Sequence, residues 1–390
     1  MLKLIKFIKS AILDTDLLLL LFCVCTSAFG CIMVHSATIF SIAEGETISR
    51  DARTMILAVA IGIVFAVVIS FIDYKFITKM TPAIAAVCIG LMLLTLLFGV
   101  GPEERPDAKT WIVLGSSGLY FQPSELVKIG FIITFGMHLE LVRDRLKSIF
   151  NLFLLCVHGA VPVLLVIVSG DLGSALVFMI IFLTMMFTAG VQLRYFALGS
   201  AGVCAMLPAI WYFFFSETQK ERFLGLIYPE RYADIMYQQN KGIEAIASGG
   251  LTGQGLFNGP YTQNEIVPES ENDMIFTCIG EELGLIGCIL ALALLFAITL
   301  KIVNVGNKSK DGATSLMCYG TAAMIASQVI INIGMCLKIL PVIGITLPFF
   351  SAGGSSNLCI YIGIGLIMSI YRFDKEKKVT NIIYRNIITA

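Results

Sequence analysis

The sequence predicts an all-α protein that crosses a membrane about ten times. Of its 390 residues, 57% are hydrophobic and only 14% are charged, and the mean hydropathy is +0.88. Soluble domains of ordinary composition carry roughly 25% charged residues. Apolar runs of about 20 residues, the length that a helix needs to cross the hydrocarbon core, recur along the chain between polar breaks. The membrane is therefore the solvent in which this fold has to be understood.

The apolar runs predict ten transmembrane helices in one integral-membrane domain over residues 1–390. The first run is longer than a signal-peptide core and lacks an A-x-A cleavage site, so it is predicted to be retained. No period of 20–50 residues repeats, and no soluble domain is appended. The ten runs lie near residues 17–40, 55–72, 82–100, 123–142, 152–168, 173–190, 193–215, 274–300, 314–337 and 356–371.

The distribution of positive charge predicts the orientation. Ten spans place both termini on one side, and most of the 27 lysines and arginines fall in segments on that side. Positive residues mark the cytoplasmic side, so both termini are predicted to be cytoplasmic. Two segments on the outer side stand out. Residues 216–273 form a large loop between spans seven and eight, and residues 338–355 are apolar but broken by proline and glycine. Because irregular backbone at membrane depth needs protein or water around it, 338–355 is predicted to be re-entrant.

Several functional classes are disfavoured by composition. The formal net charge is zero, which predicts no nucleic-acid partner. The eleven cysteines all fall in apolar segments without a C-x-x-C pair, so a disulfide framework is not expected. The three histidines have no partner at metal-ligand spacing, and each is interpreted as a core polar group.

The stretch VPESENDMIFTCIGEELG, residues 267–284, carries five carboxylates at the mouth of the predicted eighth span. Asp273 would begin this helix, either as a cap or as a functional acid. Glu281 and Glu282 lie about two turns into the span, where ionisable groups are costly and usually face a cavity or a cation. We therefore predict a functional site at this end of the span.

Three other stretches contain candidate polar groups. In QPSELVK, residues 122–128, Pro123 suits the first helical turn, and Glu125 suits the positive end of the helix dipole. Lys128, at i+3 from Glu125, either forms a buried ion pair or binds an anion such as a phosphate. In SGDLGSA, Asp171 either caps span six or points into a shared cavity. Arg222 belongs to the long loop, whose apolar pieces predict a folded cap with short helices.

Taken together, these stretches resemble the SEDS family (shape, elongation, division and sporulation), the peptidoglycan glycosyltransferases that include RodA, FtsW and SpoVE. WIVLG followed by QPSELVK resembles the family's W-I-x-L-G and Q-P-S-E-x-x-K block, and SGDLGSA resembles Q-P-D-L-G-T-A. The segments 237–255, 267–284 and 340–356 resemble three further blocks in the same order. The departures from the family pattern are Gly170, Asn272, Lys338 and Ala352.

The resemblance implies an enzyme that polymerises lipid II into β-1,4 glycan strands with inversion, in the membrane of a bacterial cell. It implies that Asp273 acts as the general base and that undecaprenyl pyrophosphate leaves. Lys128, Arg222 and a divalent cation (Mg²⁺ or Mn²⁺) are candidates to balance the pyrophosphate charge. The process served would be elongation, division or sporulation. Glu281 and Glu282 are expected to hold lysines or polar backbone in place.

The resemblance also implies a set of substrate-binding or supporting residues and several partners. The partners are lipid II, the growing glycan strand, membrane lipids and a class B penicillin-binding protein with transpeptidase activity. Two rival functions remain open: a transporter or flippase of lipid-linked precursors, which also fits many spans with intramembrane charges, and a non-catalytic scaffold for the transpeptidase. The supporting residues are Glu125, Lys128, Asp171, Arg222, Gln238, Glu281, Glu282 and Ser351.

Overall fold

The computed structural model describes residues 15–42, 45–101, 108–115, 119–213 and 215–388, and these residues are predominantly helical. The helices and the two strands, numbered in chain order, are α1 (Leu17–Ala37), α2 (Arg50–Ser70), α3 (Tyr74–Lys79), α4 (Thr81–Phe98), β1 (Ile112–Leu114), β2 (Leu119–Phe121), α5 (Pro123–Leu141), α6 (Ile149–Val168), α7 (Leu172–Thr188), α8 (Leu193–Phe213), α9 (Glu217–Ile227), α10 (Tyr237–Gly249), α11 (Pro260–Gln263), α12 (Ile275–Lys308), α13 (Gly312–Cys336) and α14 (Gly354–Ile388).

The multi-pass helical fold is confirmed. Within the described ranges, eight helices are long and apolar enough to cross a membrane: α1, α2, α4, α6, α8, α12, α13 and the first part of α14. Two further predicted spans also form helices. Helix α7 is apolar but has 17 residues, and α5 has 19 residues including the charged Glu125, Lys128 and Glu140. The total of ten crossings stays a prediction.

Several helices begin at a residue whose side chain satisfies the backbone N–H groups of the first turn. Asp16 accepts a hydrogen bond from the Leu19 N–H (3.2 Å), and Ser49 accepts one from Ala52. Such caps are typically worth about 1 kcal/mol each. Helix α5 instead begins with Pro123, whose fixed φ and missing N–H suit this position.

The core of the bundle lies around α13 and α14, which are the most buried of the long apolar helices. Small residues allow close helix approach there, as is usual in membranes. The Gly62 position on α2 lies against Tyr361 of α14, and Gly365 of α14 lies against Ala66 of α2. Helix α8, by contrast, has no buried residues in its most apolar window. The bundle is therefore tightest around α13 and α14 and loosest at α8.

A short antiparallel hairpin, absent from the sequence prediction, precedes α5. Strands β1 and β2 pair Ile112 with Phe121 and Leu114 with Leu119. The Ser355 hydroxyl at the start of α14 donates to the carbonyl of Tyr120 (3.1 Å) and so ties β2 to the bundle. Three-residue strands give too short an alternation to be recognised beside long apolar helices.

Residues 337–353, between α13 and α14, contain no helix, and most of their apolar side chains are buried. We call them the irregular segment. Their position inside the protein provides the cover that irregular backbone requires. The membrane depth of this segment stays a prediction. Lys338 adopts a φ of +57°, in the left-handed region that favours glycine. Its ammonium donates to Asn240 of α10 (2.6 Å), which ties the bend to the loop between α8 and α12.

Gly253 in that loop should tolerate no side chain. Its φ is +82°, and an added Cβ would collide with the backbone of Glu282 on α12. Gly190 is the matched control, because its φ is +91° but nothing lies within 4 Å of an added Cβ. We expect Gly190→Ala to lower stability by about 1–3 kcal/mol through backbone strain alone. Gly253→Ala should lower the melting temperature further, as measured by thermal unfolding in detergent. Equal melting temperatures for the two variants would contradict the close approach.

Candidate active site at the start of helix α12

Asp273 lies two residues before α12 and is 8% exposed, so it stands at the mouth of the helix rather than within it. The residue that caps α12 is Met274, whose side chain makes no capping hydrogen bond. The Asp273 carboxylate is therefore not occupied as a helix cap. The Gln238 amide of α10 lies 3.5 Å from Oδ1 of Asp273 and donates at 3.1 Å to the carbonyl of Pro268. Helix α10 and residues 267–273 of the loop thus face each other at the carboxylate.

The backbone that carries Asp273 is held at three consecutive carbonyls. The N–H of Ala352 donates to the carbonyl of Glu271 (2.9 Å), and the Ser351 hydroxyl donates to that of Asn272 (2.6 Å). The Asn332 side-chain amide donates to the carbonyl of Asp273 itself (2.7 Å). The irregular segment and α13 therefore fix the segment that presents the acid.

The surroundings of Asp273 favour its neutral form. Burial, and then the negative charge of Glu269, raise the pKa of Asp273 from 3.8 to about 7, although Arg222 acts in the opposite direction. Burial likewise raises the pKa of Glu271 to about 7. A carboxyl group with a pKa near neutrality can both accept and release a proton at physiological pH. The site thus holds an acid whose proton affinity suits general-base chemistry.

Arg222 of α9 lies near two acidic side chains, Asp273 and Asp171. The positive charge of Arg222 lowers the pKa of Asp273. Its Nη1 donates to the carbonyl of Val342 in the irregular segment (2.9 Å). It also lines a small cavity with Asp171. Asp171 caps α7 by accepting from Ser174 N–H (2.9 Å), and it accepts from the Gln122 amide (2.9 Å). Both alternatives for Asp171, cap and cavity group, hold at once.

Glu125 and Lys128 form a buried ion pair. Their charged atoms are 2.7 Å apart, and Lys128 is 0% exposed. The structure therefore favours the ion pair over a lysine that is open to an anion. Both residues belong to α5, so the pair places two opposite charges inside the bundle, and removing either would leave the other as an uncompensated buried charge.

Glu281 and Glu282 hold the loop between α8 and α12 against the bundle. The Glu281 carboxylate accepts from the backbone N–H of Tyr261 (2.6 Å) and from the N–H and hydroxyl of Thr262 (2.9 and 2.6 Å). The Glu282 carboxylate accepts from Ser36 of α1 (2.6 Å) and Gln263 (2.9 Å). Of the two kinds of partner expected, lysines or polar backbone, these contacts are with polar backbone, together with two hydroxyls and the Gln263 side-chain amide.

A kink makes this arrangement possible. Gly284, with φ +64° and ψ −161°, interrupts the helical dihedrals of α12. Because the helix is interrupted there, the backbone carbonyl of Glu281 accepts from the backbone N–H of Gln254 (2.9 Å). The backbone carbonyl of Glu282 accepts from the backbone N–H of Gly255 (3.0 Å).

The bend also changes how the glycines of α12 are understood. Their spacing in the sequence predicts that Thr277, Gly280, Gly284 and Gly287 form a small-residue stripe where another helix can approach closely. Helix α10 does approach at Gly280, which lies against Ile246, whereas Gly284 interrupts the helical stripe as the bend.

Sequence reasoning missed Asn332 and Ser36. Both are fully buried polar side chains on long apolar helices, and both contact the site or its supporting loop. A polar side chain within a transmembrane segment is itself a functional signal, and it would have identified Asn332. No comparable signal predicts Ser36, because serine is common at helix contacts in membranes.

The described part of the chain presents no preformed cluster of metal ligands. In those residues, no group of three or more His, Cys, Asp or Glu side chains is placed to hold one. Glu269, Glu271 and Asp273 influence one another electrostatically but do not form such a group. A divalent cation at this site would therefore need further ligands, such as those of a bound substrate.

The fold and this site define a multi-pass membrane protein whose polar site lies where a transmembrane helix meets a large folded loop. A family model for cell cycle proteins of the FtsW/RodA/SpoVE type matches residues 16–376. The chain belongs to the FtsW/RodA/SpoVE family.

Relatives and solved structures agree with this assignment. The chain is 31% identical over 348 residues to the peptidoglycan glycosyltransferase MrdB of Escherichia coli strain K12, covering 88% of this chain and 91% of MrdB. It is 30% identical over 363 residues to the probable peptidoglycan glycosyltransferase FtsW of Trichlorobacter lovleyi, covering 92% and 93%. The class that these relatives share, glycosyltransferase, is the enzyme class of this chain.

The fold is shared with a chain of a peptidoglycan synthase complex that coordinates polymerisation and crosslinking. The TM-score is 0.77 at 24% identity, covering 92% of this chain and 98% of that one. The rod shape determining protein RodA of Thermus thermophilus gives a TM-score of 0.67 at 23% identity, covering 92% and 97%.

Proposed function

We propose that this protein polymerises the lipid-linked disaccharide lipid II into β-1,4 glycan strands, with Asp273 as general base. The observation that carries the proposal is a nearly buried carboxylate with a pKa near 7, held at the mouth of a transmembrane helix. A lipid-tethered sugar would be presented at such a mouth, because its lipid lies in the bilayer and its sugar in water.

The proposed reaction requires one base and no covalent sugar–enzyme intermediate. The 4-hydroxyl oxygen of the acceptor N-acetylglucosamine attacks C1 of the donor N-acetylmuramic acid, and Asp273 takes the hydroxyl proton. The bond from C1 to the pyrophosphate oxygen breaks, and undecaprenyl pyrophosphate leaves with the electron pair. General-base assistance of this kind typically contributes about 10²–10⁴-fold to the rate. Attack opposite to the leaving group inverts an α-linked donor to a β product.

The negative charge that develops on the pyrophosphate needs positive charge nearby. Arg222 is the candidate, because it lies close enough to influence Asp273 and lines a cavity. Lys128 is not assigned this role, since its ammonium is buried against Glu125. A divalent cation, if required, would come with the pyrophosphate, and a chelator tests this.

Three further side chains are proposed to support the site. Gln238 contacts the Asp273 carboxylate, Asp171 lines the Arg222 cavity, and Ser351 holds the backbone of Asn272. Glu281 and Glu282 act at a greater distance, because they hold the loop whose end presents Asp273.

The proposal places the Asp273 end of the bundle outside the cell and both termini in the cytoplasm. The excess of lysine and arginine in the segments at the opposite end supports this orientation. We further propose that the enzyme works beside a class B penicillin-binding protein in the bacterial cell membrane. The relative found in a peptidoglycan synthase complex supports such a partnership. Whether the pair serves elongation, division or sporulation follows from the partner that co-purifies.

Reconstitution in vesicles with lipid II separates the enzyme from its rivals. A polymerase converts lipid II into long glycan chains that are visible on a gel. A flippase moves fluorescently labelled lipid II between leaflets without forming polymer, and a scaffold does neither. Absence of polymer from vesicles that contain the wild-type protein and its transpeptidase partner would reject the proposal.

The rate of polymerisation should rise with pH through about 7. Asp273 acts as a base only when it is ionised, and its pKa is raised to about 7 by burial and by Glu269. We expect saturated rates to increase about tenfold per pH unit below this midpoint and to level off above it. Initial rates with lipid II from about pH 5.5 to about pH 9 measure the profile. A rate that stays level across this range, as a base with the ordinary carboxyl pKa of about 4 would give, would contradict the assignment of the base.

A further inference from the structure

Asn332 is an amide buried inside an apolar transmembrane helix. It lies on α13, one turn before the helix ends at Cys336, and it is 0% exposed. Burying an amide without hydrogen-bond partners costs several kcal/mol, so its partners define its role.

Both hydrogens of the Asn332 amide are used, and each reaches a different segment. Nδ2 donates to the carbonyl of Asp273 (2.7 Å) and to the carbonyl of Ile345 (2.7 Å). A side-chain amide has two donor hydrogens, and here they connect the start of α12 to the irregular segment through α13.

We propose that Asn332 is a positioning residue for the transferase reaction: by fixing the backbone carbonyl of Asp273, its amide sets the place from which the carboxylate takes the acceptor proton. This inference rests on the proposed function, because it assigns Asn332 a role only if Asp273 is the base.

The neighbouring contacts explain why Asn332 has this role. Ser351 and Ala352 hold the carbonyls of Asn272 and Glu271, but both belong to the irregular segment. Asn332 holds the carbonyl of the proposed base itself and belongs to a regular helix of the core. Helix α13 is therefore the rigid element to which both segments are attached. The irregular segment is attached to it through the carbonyl of Ile345.

A second side chain of α13 approaches the same carbonyl. The Sγ atom of Cys336 lies 3.7 Å from the carbonyl oxygen of Asp273. A thiol is only a weak hydrogen-bond donor, so the amide of Asn332 supplies most of the restraint.

The test is steady-state kinetics of the full-length Asn332→Ala and Asn332→Asp variants with purified lipid II. The alanine removes both donor hydrogens. The aspartate keeps the side-chain size but places an acceptor oxygen, in place of the donor NH2, against the carbonyls of Asp273 and Ile345. We expect kcat to fall about 10²-fold, since a displacement of about 1 Å can cost that much. The KM for lipid II should stay within about twofold, because the amide contacts backbone rather than substrate.

The pH profile gives a readout that a purely structural role would not move. In Asn332→Ala the loosened Asp273 gains solvent, so its pKa falls and the midpoint of the rate profile moves below that of the wild type. The control is Ser327→Ala on the same helix. Ser327 is 3% exposed, and its hydroxyl donates to the carbonyl of Met324 within α13 (2.9 Å). Its kcat and its midpoint should match the wild type.

Rates are normalised to the monodisperse, folded fraction, so that loss of folded protein is not counted as loss of kcat. A normalised kcat within about threefold of the wild type, a rise in KM alone, or an unchanged pH midpoint would overturn the inference. Its failure is distinct from failure of the proposed function. In the first case the Asn332 variants stay active while Asp273→Asn is inactive, and in the second case Asp273→Asn itself still polymerises lipid II.

Discussion

Asp273→Asn should reduce glycan polymerisation by about 10²–10⁴-fold while leaving the protein folded. The asparagine keeps the size of the side chain and one acceptor oxygen but cannot take the proton from the acceptor hydroxyl. The Asp273 carboxylate caps no helix, and its contact with the Gln238 amide is long, at 3.5 Å. Losing its charge should therefore disturb the fold little. Gel analysis of the polymer made from purified lipid II measures the effect.

Asp311→Asn is the matched control for this substitution. Asp311 caps α13 at the opposite end of the bundle, where its carboxylate accepts from the N–H of Ala313 (3.1 Å). Asparagine caps helices about as well as aspartate, so this variant should polymerise at the wild-type rate. Polymer from Asp273→Asn at a rate within a few-fold of Asp311→Asn would exclude Asp273 as the base.

Lys128→Met should destabilise the protein by about 3–5 kcal/mol, because it leaves Glu125 as an unpaired charge in the interior. Lys128 is fully buried and lies 2.7 Å from Glu125. Thermal unfolding in detergent should show a large fall in melting temperature. The double variant Glu125→Gln with Lys128→Met should recover much of the loss, since it removes both charges.

The far end of α5 supplies a control. Arg143 and Glu140 form an ion pair with the same i,i+3 spacing, but their side chains are 59% and 33% exposed. Exposed pairs are typically worth about 0–1 kcal/mol, so Arg143→Met should be nearly neutral. If Lys128→Met were equally mild, Glu125 would not be left as a costly unpaired charge in the interior.

The parts of the fold that were predicted from sequence are those fixed by local rules. Hydropathy located the long helices, because a span must supply about 20 apolar residues wherever it lies. Pro123 marked the start of α5, and the i+3 spacing brought Glu125 and Lys128 together on one helix face. The position of Asp273 at the mouth of α12 followed from the end of a polar loop.

The parts that were not predicted depend on contacts between distant segments. Nothing near Glu281 in the sequence identifies Tyr261 and Thr262 as its partners. The bend at Gly284 replaces helical dihedrals that the local sequence favours, and only packing of the loop against α12 explains it. The two carbonyls that Asn332 holds lie in segments on either side of α13.

The contact between Ser36 and Glu282 constrains the order in which the protein assembles during synthesis. The two residues are 246 positions apart, and the first helix leaves the ribosome long before the eighth predicted span exists. The loop that follows α10 can therefore reach its final arrangement only after α12 has entered the bilayer and packed against α1, which was inserted earlier. A chain that lacks residues 17–37 should insert its later helices and yet leave this loop open to added protease.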